Sequence, residues 1–269
     1  MLVRPYYAFV MYALTAGVYL IDTAVTDNNL GAFAYCGGDI FFIEGCTFAN
    51  NIFSDYANPP AGFIVSGATA SPNTTITSST FFNNVGPQRL IWAYGALTLQ
   101  GCIFDSNTIS ASYEITDGHL VEADGFSNLV TPITVINCTF TNNNLGSGGG
   151  HVLFLDYHVG LVQDCVFQGN VALGMVYSTD QYAGGLTISG CTITDNYSFY
   201  GGNQPLIFIG CTVSTVLVID DCIIIANQAG VIQEAIPVCN RLIVTNSFIW
   251  GNLDTAYVAY SGFIAEFNK

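Results

Sequence analysis

The chain has 269 residues; 51% are hydrophobic, only 9% are charged, and 4 basic against 19 acidic side chains give a formal net charge of −15. So apolar a composition excludes a disordered acidic tail, and the few scattered cations (Arg4, Arg89, Arg241 and Lys269) argue against nucleic acid, whose phosphates need clustered Lys and Arg. A long helical bundle is excluded as well: Lys, Glu, Arg and Gln are scarce, while Gly, Asn, Thr, Val, Ile and Phe abound.

The first apolar stretch, 6–21, has 16 residues, short of the roughly 18–20 that a spanning helix needs. It follows Arg4 as a signal peptide would, but lacks an A-x-A cleavage pattern. No later window is long and uncharged enough to span, so no transmembrane helix is expected. After it comes a repeat. The copies read DTAVTDN at 22–28, EGCTFANN at 44–51, SSTFFNN at 78–84, GCIFDSN at 101–107, NCTFTNN at 137–143, DCVFQGN at 164–170, GCTITDN at 190–196, DCIIIAN at 221–227 and NSFIWGN at 246–252. Position zero of each copy is Thr23, Cys46, Ser79, Cys102, Cys138, Cys165, Cys191, Cys222 and Ser247. Three residues earlier all nine copies carry an aliphatic residue, and two residues later all nine carry a large apolar one, from Val25 and Phe48 to Ile249. Five residues later stand Asn28, Asn51, Asn84, Asn107, Asn143, Asn170, Asn196, Asn227 and Asn252.

Apolar offsets of −5 and −3, then 0 and +2, are two period-2 patterns separated by one phase slip. They describe two short strands joined by a bend, each pointing alternate side chains inward. One such unit cannot bury its apolar side alone, but stacked units can. The fixed Asn tolerates a left-handed backbone, and its amides can hydrogen-bond in a ladder along the stack. Between copies runs a further set of strands: GFIVSG at 62–67, RLIWAYG at 89–95, HLVEADG at 119–125, HVLFLD at 151–156, MVYSTD at 175–180, PLIFIG at 205–210 and GVIQEA at 230–235. The expected fold is therefore all-β, a right-handed parallel β-helix solenoid with an Asn ladder. About nine to ten coils, at roughly 4.8 Å each, make one rod-like domain over 1–269. Both ends read as uncapped: 6–14 and 256–267 resemble partial coils.

The F-x-x-N motif, at Phe48-Asn51, Phe81-Asn84, Phe104-Asn107, Phe140-Asn143 and Phe167-Asn170, with Cys before the Phe in most copies, resembles the repeats of chlamydial polymorphic outer-membrane proteins. More broadly the pattern is similar to right-handed parallel β-helices of the pectate-lyase-like class. The resemblance implies a secreted or surface-displayed, often adhesive, protein.

Of nine cysteines, six occupy position zero and read as a buried column of small apolar thiols; disulfides between adjacent coils, about 5 Å apart, remain open. Aligning GHLVEAD (118–124), GHVLFLD (150–156) and GMVYSTD (174–180) stacks Asp124, Asp156 and Asp180 in one column, with His119 beside His151. Stacked carboxylates could bind Ca²⁺ or act as a catalytic pair; a solvated acidic strip is the plainer account. No cation is expected near this column, and Glu122 has no assigned role. Asn73, in a Ser/Thr/Pro-rich stretch read as a loop, is the candidate glycosylation site. No catalytic residues and no cofactor other than calcium are assigned. Two functions compete. One is an extracellular structural or adhesive surface protein, self-associating end to end as the subunit of a filament. The other is a polysaccharide-active enzyme or carbohydrate-binding β-helix, favoured by aromatic side chains in a groove beside a carboxylate column.

Overall fold

The computed structural model describes residues 9–13, 17–30, 32–38, 40–53, 62–66, 73–86, 88–109, 118–125, 131–146, 150–156, 158–180, 185–198, 205–211, 216–234, 241–252, 257–258 and 264–268. They form a parallel β-helix. Three long sheets run along it. Sheet one has 10 strands, from Phe9–Ala13 to Tyr257–Val258; sheet two has 10, from Val18–Ile21 to Ile264–Asn268; sheet three has 9, from Ala24–Thr26 to Phe248–Trp250. Each strand pairs in parallel with its counterpart one coil away, so every column of the repeat becomes a column of side chains.

The aliphatic column three residues before position zero lies inside, from Leu20 and Ile43 to Ile219 and Val244. The column two residues after it is an internal stack of rings: Phe48, Phe81, Phe104, Phe140 and Phe167 sit 4.8–4.9 Å apart and nearly parallel. Their offset stacking adds to the burial of five large apolar groups. The position-zero cysteines are also buried, and among the described residues all seven cysteines are free thiols. Cys165 shows why. Its Sγ donates to the Gln163 carbonyl and accepts from the Cys138 backbone N–H. Hydrogen bonds with Cys138 and Cys191, and then burial, push its pKa well up, so it is protonated and unreactive.

The Asn column forms a continuous ladder. In all eight steps from Asn28 to Asn252 the side-chain Nδ2 donates to Oδ1 of the next Asn at 2.9–3.0 Å. The same Oδ1 accepts from the backbone N–H of the preceding coil's Asn, as in Asn107 to Asn143 at 3.0 Å. The second Nδ2 proton goes back one coil, from Asn107 to the Phe81 carbonyl at 2.9 Å. Each side chain from Asn51 to Asn227 therefore joins three coils. Asp lacks the donor and Ser lacks the reach, so Asn is selected.

The left-handed conformation lies elsewhere than expected. None of the nine ladder Asn residues has positive φ. The residues that do are the one before position zero (Asp22, Gly45, Ser78, Gly101, Asn137, Asp164, Gly190, Asp221, Asn246) and the one before the ladder Asn (Asp27, Asn50, Asn83, Ser106, Asn142, Gly169, Asp195, Ala226, Gly251), in all nine coils. The ladder Asn must aim its amide inward, so its predecessor takes the reversal. Asn, Asp and Gly dominate these two sites because they enter this region most easily. A second correction concerns Asn73. It is the first residue of the sheet-two strand Asn73–Thr77, exposed and paired with Ile40 and Ala96, rather than part of a loop.

Asn143→Ala removes the acceptor of two Asn107 donors and the donor to Asn170 and Phe104. It is expected to lower stability by about 1–3 kcal/mol, or more if the coil does not relax. The exposed Asn73→Ala change should cost less than about 0.5 kcal/mol. Urea titration of the two variants checks this: equal midpoints would show that the ladder is dispensable.

Candidate functional site

The outer surface of sheet one differs from the other two. Its strands bend just after their first residue, so Leu90, Leu120, Val152 and Met175 enter the core together with Ile91, Val121, Leu153 and Val176. The residue before the bend is left outside: Arg89, His119, His151 and Gly174. After the bend a second outer column runs in register through Tyr35, Val65, Trp92, Glu122, Phe154, Tyr177 and Phe208. A third, two residues on, holds Tyr94, Asp124 and Asp156.

His119 stacks with His151 as the alignment implies, at 5.5 Å between ring centroids, and Asp124 pairs with Asp156. Asp180 does not join them. Thr179 takes the place beside Asp156, and Asp180 pairs with Cys211. The cause is at Gly174, which pairs with His151 rather than with Gly150. A Cβ there would meet His151 Cδ2 at 3.1 Å and the Pro205 carbonyl at 2.8 Å. Glycine therefore occupies the histidine position, and the pairing of this strand is shifted by one residue from the alignment. Two carboxylates in register, not three, is a poor start for Ca²⁺, which takes six to eight oxygens. Among the described residues no group of three or more His, Cys, Asp or Glu is placed to hold a metal ion.

The expectation of no nearby cation also fails. Arg89 is buried in this face; its Nε donates to Glu122 Oε2, and its guanidinium lies 4.4 Å from the centre of the Trp92 ring. Burying Glu122 requires such a partner. Trp92 in turn donates from Nε1 to Asp124 Oδ2 at 2.7 Å. The signal was present in the sequence: RLIWAYG laid over HLVEADG puts Arg89 on His119, Trp92 on Glu122 and Tyr94 on Asp124.

The histidines are neutral. His151 donates its backbone N–H to His119 Nδ1 at 3.1 Å. That nitrogen is therefore the acceptor, and the His119 proton sits on Nε2, 3.9 Å from Glu122 Oε2. Burial first, then His151 and Arg89, push His119 well below its usual range, and burial alone pushes His151 down to about 3. Among the described residues His151 Nδ1 is buried and has no hydrogen-bond partner. Beside it runs a ladder of half-buried rings. Phe154 and Tyr177 lie 4.9 Å apart at 7°, Tyr177 and Phe208 lie 4.5 Å apart at 3°, and His151 is 4.4 Å from Tyr177. Parallel rings touch at about 3.5–4.0 Å, so these centroid distances mean that the rings overlap with an offset, like shingles. Tyr94 is pushed up to about 12, by burial first and then by Asp124; burial and then Asp156 raise Tyr177. Both carboxylates thus act on the rings beside them.

A family profile described as the right handed beta helix region matches residues 100–235, just over half of the chain. Among solved structures, two trypsin-treated forms of QnrB1, described as a plasmid-mediated fluoroquinolone resistance protein, are similar only distantly. One shows 15% identity over 95% of this chain and 91% of that chain, with a TM-score of 0.23; the other shows 12% over 93% and 92%, with a TM-score of 0.24. Scores this low say nothing further about this chain. No curated protein matches it, so the likeness to the chlamydial repeats rests on the F-x-x-N motif. Among the described residues no helix is long and apolar enough to cross a membrane.

A pH dependence follows from the neutral histidines. In the unfolded chain His151 takes up a proton near pH 6.5, whereas in the folded protein it does so only near 3. Between those values the unfolded state binds the extra proton, so this part of the stability is full above about pH 6.5 and declines as pH falls. From pH 7.5 to 5 the loss is about 2 kcal/mol. Urea unfolding of wild type and His151→Phe at both pH values should show the wild type losing about that much more; parallel losses would mean that His151 is not held neutral.

Proposed function

The chain belongs to the right-handed β-helix family, and on that architecture we propose that it is an extracellular surface protein that binds carbohydrate chains along the outer face of sheet one. The observation that carries this reading is the half-exposed ring ladder Phe154, Tyr177 and Phe208, with Asp124 and Asp156 in register at its edge. One ring per coil, about every 4.8 Å, suits a ligand that is itself a repeating chain. Apolar rings with a few placed polar groups are the usual lining of a ligand site. The scaffold pre-pays the ordering of these side chains: the Arg89–Glu122 pair, the Trp92–Asp124 bond and the histidine stack hold the rest of the face rigid. The extracellular placement draws support from the motif likeness to surface-displayed repeats.

The test is glycan binding followed by calorimetry or by Trp92 fluorescence. Tyr177→Ala should weaken binding at least about tenfold, the loss of one well-placed aromatic contact, while Trp250→Ala, on sheet three, should leave it unchanged. Equal affinity of wild type and Tyr177→Ala for every glycan bound would overturn the assignment of this face.

End-to-end self-association is a second reading with its own support. Among the described residues Asn28 Oδ1 has no donor, and the Asn252 amide donates only back to the Ile224 carbonyl. The ladder thus ends in an acceptor at one end and a donor at the other. Such ends are complementary head to tail, and a contact of that kind does not close. Light scattering over a concentration series should show growth that Asn252→Asp, lacking the donor, suppresses; a concentration-independent monomer mass would dismiss this reading.

A further inference from the structure

Resting on the carbohydrate reading above, we infer that the chain bound on this ladder is polycationic: a polymer of amino sugars with free ammonium groups, selected by Asp124 and Asp156.

Charge is the first argument. A net charge of −15 attracts a cationic polymer and repels an acidic one, and steering of this kind acts on encounter from a distance. Local composition is the second. The described cation of this face, Arg89, is engaged by Glu122 and Trp92. The two histidines that would otherwise add positive charge are held neutral by burial. The carboxylates of Asp124 and Asp156 stand one coil apart in the column next to the rings and impose a negative field on Tyr94 and Tyr177. Ring chemistry is the third. Shingled aromatic faces attract ammonium groups by their quadrupole, and carboxylate to ammonium hydrogen bonds are among the stronger ones. A pyranose ring carrying an ammonium meets both: its apolar side covers Phe154 and Tyr177, and its nitrogen reaches the carboxylate column.

The experiment compares three probes by calorimetry: a glucosamine hexamer, its fully N-acetylated counterpart, and a lysine hexamer. The glucosamine hexamer is expected to bind at least tenfold more tightly than either of the others, and more weakly as salt rises. In Asp124→Asn/Asp156→Asn, which keeps the shape of both side chains, that preference should collapse to within about twofold while binding of the N-acetylated hexamer persists. Tyr177→Ala should weaken both sugars. Equal binding of the two sugars by the wild type would overturn the inference and leave the carbohydrate reading standing. Equal binding of the lysine and glucosamine hexamers would also overturn it, as charge attraction without sugar recognition. No binding of either sugar, with other neutral glycans also failing, would remove the carbohydrate reading itself.

Discussion

Everything in this molecule depends on a buried amide satisfied at every coil. An Asn in the interior is tolerable only if its two donor protons and its acceptor are all used. The geometry that uses them is a neighbour at the same place one coil above and another one coil below. The ladder therefore sets the register of the coils. Phe104 stacks on Phe81 and Phe140 because Asn107 is bonded to Asn84 and Asn143 three residues further along. The left-handed residues before position zero and before the ladder Asn make the two corners that flank each sheet-three strand, and the second turns the chain so that the amide faces inward. At Ala226, φ is 57° without the help of a glycine or a short polar side chain, a conformation that costs about 1–2 kcal/mol for an ordinary residue. The ladder bonds on either side hold it there.

With two of the three sheets committed to the ladder corner, variation falls on sheet one. Its strands lie away from the Asn column, and their lengths and approach angles follow the segments between copies, which makes the spacing of copies irregular. The bend after the first residue leaves one further position per coil outside, and this is how a charged and aromatic cluster comes to sit on sheet one. Burial of Arg89, Glu122, His119 and His151 in one patch carries a desolvation penalty that good packing of apolar groups would avoid. The cluster instead organises the polar edge of an aromatic ladder. Its effect is a rigid, negatively charged strip whose positive charge is spent internally.

Much of the fold was legible because parallel coils impose identical surroundings on equivalent positions. The nine Asn residues, the aliphatic column and the Phe column all recur at constant offsets, and each landed where period-2 alternation put it. The site was less legible. His119 over His151 and Asp124 beside Asp156 came through, since 118–124 and 150–156 align without a slip. Asp180 did not, because Gly174 has no room for a side chain under His151 and takes the place of a histidine. Arg89 was overlooked although its strand obeys the same pattern, because a cation counted along the chain looks isolated until coils are stacked.

The sequence by itself determined the architecture: short-range periodicity and a fixed Asn admit one way of burying nine amides and nine apolar faces, and no distant contact is needed to read it. It also determined the acidic charge and the column of buried thiols. Only the tertiary structure decided which outer residues meet. That depends on a one-residue register between strands separated by segments of varying length, and a shift of one residue exchanges the inner and outer faces. Hence the ion pair of Arg89 with Glu122, the neutral state of His119 and His151, and the shingled rings of Phe154, Tyr177 and Phe208 are products of stacking, since each arises from side chains more than twenty residues apart that touch only because the coil between them closes.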